Sequence, residues 1–170
     1  MVAAKGTLEP SRAKRSEWWA RRRTERLVGV CMIVSGSVHG LITQEHFTEW
    51  WGYGVFFLVV AVCLIGFGLA LITDAIDPRY TPGDVQRLRR IMYVAGIAGN
   101  IGLLTLYTLT RTAGIPFGPG AGTVETVAGP DVIANLTEAT AAISLMVLLW
   151  KARPRPRAVN PAERLPELGG

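Results

Sequence analysis

Four apolar stretches, at 27–42, 52–72, 91–110 and 132–150, are separated by segments rich in charge. Each is close to the roughly 20 residues that carry a helix across a bilayer while satisfying its own backbone. The first stretch is short and carries His39, but the polar residues beyond it can prolong the same helix. The second holds no charged side chain, the third carries Asn100, and the fourth is interrupted by Asn135 and Glu138. The pattern predicts an all-α, polytopic membrane protein, a four-transmembrane-helix bundle. A soluble fold would have to enclose nearly half of the chain with very little remaining sequence.

The spacing divides the chain into a basic arm at 1–26, a transmembrane domain at 27–150 and a basic, proline-rich tail at 151–170. The net charge is +5, and its distribution matters more than its size. Of the 18 Lys and Arg residues, all but Arg111 fall on one side of a four-span chain. The positive-inside rule assigns that side to the cytoplasm, so both termini are expected there, with the chain in the plasma membrane. Trp18, Trp19, Trp50, Trp51 and Trp150 all flank a span, where an indole combines apolar area with a hydrogen-bond donor. These five are the expected membrane anchors. Residues 12–26 are expected as a cytoplasmic surface helix whose arginines meet anionic lipid head groups, a reading favoured over nucleic-acid binding by its place beside a span. No small-residue cleavage pattern follows the first stretch, which argues for a retained helix rather than a secretory signal. Four prolines oppose a long helix in the tail. Cys31 and Cys63 lie at different expected depths, which favours packing over a disulfide or zinc site.

Small residues prepare the packing. Gly36 and Gly40 form a GxxxG pair, and Gly96, Gly99 and Gly102 line the third stretch, permitting close helix approach. The expected architecture is two helical hairpins, the second closed by an irregular Gly- and Pro-rich cap at 111–131.

Polar residues recur on single helix faces. Ser35, His39 and His46 share one face of the first helix, Asn100, Tyr107 and Arg111 one face of the third, and Asp131, Asn135 and Glu138 one face of the fourth. Alternating helix direction brings these stripes together in the outer half of the bilayer. Glu138 is the central residue, because an unpaired carboxylate in hydrocarbon is costly. Arg111 is expected to compensate it, with Tyr107 and Asn100 as further hydrogen-bond partners. The network is either a buried stabilising cluster or a ligand site or proton relay. His39, His46, Glu49, Asp131 and Glu138 also offer N/O ligands to a transition metal, although two histidines seven residues apart on one helix differ in height by about 10 Å. A quinone is the other candidate cofactor, with His39, Tyr107 and Arg111 facing its carbonyls and Phe56 and Phe57 packing on its ring.

The segments EHFTEWWGYGVFFL and LYTLTRTAGIPFGP, with the acidic start of the fourth helix, resemble an uncharacterised group of small four-span prokaryotic membrane proteins. The resemblance covers 27–150 and implies the fold, with no activity to carry over. The expected function is a membrane ligand-binding or accessory protein, part of a larger energy-transducing or transport assembly. It would meet lipids and either other membrane subunits or a second copy of itself. The alternatives are a metal- or quinone-dependent oxidoreductase and an oligomeric ion or solute transporter.

Overall fold

The computed structural model describes residues 12–75 and 82–153, and every regular element in them is an α-helix. Lys5, Arg79 and the tail beyond 153 lie outside the described residues. The helices are α1 (Arg12–Glu49), α2 (Trp51–Thr73), α3 (Pro82–Thr112) and α4 (Gly129–Lys151). All four are long and apolar enough to cross a membrane. The helices alternate in direction, so one end of the bundle, called the terminal end below, carries the start of α1 and the end of α4, and the other carries the α1–α2 and α3–α4 turns.

With 38 residues, α1 is about 57 Å long. It runs without a break through the segment expected as a separate surface helix, because no Pro or Gly interrupts 12–28. It also continues past residue 42 to carry His46 and Glu49. A single extended residue, Trp50, then reverses the chain, and the Phe47 ring lies against Gly54 across the turn.

Across the bundle the order is α2, α1, α4, α3, since α1 packs on α2 and α4, and α3 packs on α4. The α1–α2 seam is close enough that a Cβ on Gly68 would stand 2.6 Å from the Gly29 carbonyl oxygen, and one on Gly36 2.9 Å from Ile65 Cγ1. Gly40 faces only Ala61 at an ordinary 3.7 Å, so the expected GxxxG pair packs through one of its two members. On α3, Gly96 meets Leu145 and Phe67, while Gly99 and Gly102 face open space.

The core consists of Val28, Cys31 and Met32 of α1, Leu64 and Leu71 of α2, Tyr93 of α3, and Ala141, Leu145 and Leu148 of α4. Leu, Val and Ile side chains cover much of the outside of α2, α3 and α4, whereas Glu25, Ser35, Asn100 and Glu138 are sealed inside. Such a distribution suits lipid as the surrounding solvent, because apolar exterior area costs nothing there and interior polar groups satisfy one another.

Candidate functional site

Two polar groups occupy the half of the bundle nearer the turns. The first joins α1 to α4. Glu138, 2% exposed, accepts a hydrogen bond from Ser35 Oγ at 2.7 Å and lies 2.9 Å from His39 Nε2. Both contacts fall on Oε1; Oε2 has no partner among the described residues. His39 Nδ1 is likewise buried without a hydrogen-bond partner. Helical spacing explains the grip: Ser35 and His39, four residues apart, stand one above the other on α1 and hold the same oxygen.

The second group closes the turn end. Arg111 donates to Glu125 from the α3–α4 connection and, at 2.6 Å, to Asp131 Oδ2 of α4. Asp131 Oδ2 also accepts the Ala128 backbone N–H at 2.9 Å, so one carboxylate caps the helix and anchors the arginine. The guanidinium carbon sits 5.0 Å from the centre of the Tyr107 ring, in cation–π range. The connection itself folds back through left-handed Gly114, Gly118 and Gly122, and Tyr53 of α2 donates to the Phe117 carbonyl at 2.9 Å. A side chain at Gly118 would collide with the Tyr53 hydroxyl.

The expected Arg111–Glu138 pair is therefore corrected. Asp131 lies two turns nearer the connection than Glu138 and intercepts the guanidinium, and Glu125 takes its other branch. Glu138 is instead served by α1. Asn100, 1% exposed, donates to the Gly96 carbonyl of its own helix, and Asn135 does the same to Asp131; the Oδ1 of each is buried without a partner. The three stripes thus share one half of the bundle without forming a single cluster.

The proposed metal set does not assemble either. His39 belongs to Glu138, His46 Nδ1 lies 3.0 Å from Glu49, and Asp131 belongs to Arg111. Among the described residues no three His, Cys, Asp or Glu side chains converge in a way that could hold a metal ion. The quinone constellation is divided in the same manner, since Tyr107 lies beneath Arg111 while Phe57 stacks on His46 at 3.9 Å and tilts against His39 at 5.4 Å. Cys31 and Cys63 are both free thiols.

A third polar group, near the terminal end, was not anticipated. Glu25 is fully buried and receives Arg22 at 2.8 Å, Arg89 at 2.8 Å, Arg21 at 3.2 Å and the Tyr93 hydroxyl at 2.5 Å. Arg89 continues to Asp74 at 2.5 Å, and Arg22 donates to the Leu71 and Ile72 carbonyls at the end of α2. In sequence Glu25 is one acid within an arginine-rich run, and its spacings of three and four residues from Arg22 and Arg21 are the local hints of pairing.

No protein-family model, curated protein or solved structure matches the chain. Fold and site together define a small four-helix bundle of membrane-spanning dimensions with a buried acid–imidazole pair.

Proposed function

We propose that this is a membrane-embedded binding or accessory protein whose working site is the Ser35–His39–Glu138 cluster. The observation that carries the reading is Glu138: a carboxylate sealed inside the bundle, with one oxygen doubly held and the other unengaged. Buried ionisable pairs are poor stabilisers, and an apolar residue of similar volume commonly does as well or better. Intramembrane acids of this kind serve ligand, ion or proton binding.

The basic residues and tryptophans support an orientation with both termini in the cytoplasm, with lipid head groups around the terminal end. Trp18 and Trp19 are 44% and 51% exposed there, beside exposed Arg12, Arg23 and Arg26. The lipid-type exterior of α2 and α3 leaves room for membrane subunits, which fits a place in a larger energy-transducing or transport assembly.

Native mass spectrometry of the protein extracted in mild detergent tests this function. The wild type is expected to carry a bound small molecule or a partner subunit, and Glu138→Gln to lose it while keeping its thermal stability. Bare monomer from both proteins would refute the reading.

A further inference from the structure

We infer that the His39–Glu138 pair is a proton-binding site loaded from the turn end of the bundle alone. The inference rests on that cluster being the working site and gives it a ligand, the proton.

Charge balance comes first. Apart from His39 itself, no cationic side chain contacts Glu138 among the described residues, since Arg111 is held by Glu125 and Asp131. The pair is neutral only while it holds one proton, either as carboxylic acid with imidazole or as carboxylate with imidazolium. Loading adds one proton to the pair and unloading removes it, with no other bond changed and no electron moved. The other titratable or charged groups on the packed helices lie at a distance along them. On α1 these are the Cys31 thiol and the Glu25 cluster with its arginines towards the termini, and Glu45, His46 and Glu49 towards the turns. On α2 they are Tyr53 and Cys63; on α3, Tyr93, Tyr107 and Arg111; on α4, Asp131 and Lys151.

Access is asymmetric. Towards the turns, α1 presents a polar group on the same face at each turn: His39, the buried Thr43 hydroxyl, then His46 and Glu49. On α4, Glu138 is followed by Asn135, with its unpartnered Oδ1, and then by Asp131 at the Arg111 clamp. Two ladders thus approach the pair from one side. Towards the termini, Val28, Cys31, Met32, Leu64, Leu71, Ala141, Leu145 and Leu148 form a buried hydrophobic layer between Ser35 and Glu25, with the Tyr93 hydroxyl turned to Glu25 at its far side. Protons move along chains of hydrogen-bonding groups and water, and an apolar layer supplies none.

Infrared difference spectroscopy on protein in phosphatidylcholine vesicles, following carboxyl absorption after a pH jump, tests the inference. The wild type should show a carboxyl band that Glu138→Gln removes. The double variant Asn135→Leu/Thr43→Val should slow its appearance about tenfold, the scale of losing one relay hydrogen bond. Met32→Leu, in the apolar layer, should leave the rate unchanged. A band that persists in Glu138→Gln, or a double variant as fast as wild type, would overturn the proposal. If Glu138→Gln fails to fold, wild-type protein treated with a hydrophobic carbodiimide, which attacks protonated carboxylic acids, should carry an adduct on Glu138 that increases as pH falls. No adduct at any pH would equally overturn it. A carboxyl band without a co-purifying ligand or subunit would remove the broader functional reading and leave the proton site standing.

Discussion

Glu25 and Glu138 are both buried acids, yet their surroundings make them different objects. Three arginines and a tyrosine surround Glu25, so its charge is over-compensated and its lone pairs are used. Glu25→Gln would leave Arg22 and Arg89 short of their counter-charge; breaking a buried pair in this way costs about 3–5 kcal/mol. Chemical unfolding in detergent should register that loss, with exposed Arg23→Gln close to wild type as the control. Arg111 offers a second residue-level test. Its partners predict strong coupling to Asp131 and additivity with Glu138 in double-mutant cycles, with a coupling of about 0.5–3 kcal/mol for the contacting pair. Coupling of Arg111 to Glu138 in place of Asp131 would contradict the observed division of the polar groups.

At the scale of helices, close approach decides which glycines matter. Gly68 and Gly29 let α1 and α2 touch backbone to backbone, and a methyl group at 68 would sit 2.6 Å from a carbonyl oxygen that cannot swing away. Gly68→Ala should therefore destabilise the bundle by about 1–3 kcal/mol through overpacking. Gly99→Ala meets nothing within 4 Å and should be neutral, or stabilising by up to about 1 kcal/mol through helix propensity. Thermal melts of the two variants side by side check the contrast; equal losses would mean that α3 is buried against something along that face.

For the molecule as a whole, α3 packs chiefly on α4, is pinned to α1 through Arg89 and Tyr93, and meets α2 at Phe67 and Asp74. The polar knots at the two ends set this arrangement, and the apolar core between them fills it. The proposed orientation makes a prediction at this scale. In a background with Cys31 and Cys63 replaced by Ala, a cysteine at Arg153 should be shielded in intact cells from a membrane-impermeant maleimide. A cysteine at Gly120, in the α3–α4 connection, should react with it. The reverse pattern would invert the topology and place the proton-accessible face in the cytoplasm.

The four helices and their alternation were legible in the sequence because hydrocarbon imposes a length and a polarity that composition reports directly. The shared faces of Ser35 with His39, and of Asp131, Asn135 and Glu138, were legible because 3.6 residues per turn fixes lateral direction within one helix. Periodicity does not fix the rotation of one helix against another, nor the height at which side chains from different helices meet. Those depend on close packing at Gly29, Gly36 and Gly68, which no single helix encodes. Tertiary structure therefore decided that His39 rather than Arg111 answers Glu138, and that Asp131 captures the arginine first. It also gathered Glu25 of α1, Arg89 and Tyr93 of α3, and Asp74 at the C-cap of α2 into one knot. Opposite charges and hydrogen-bonding groups pair by distance, and distance between helices is a property of the assembled bundle.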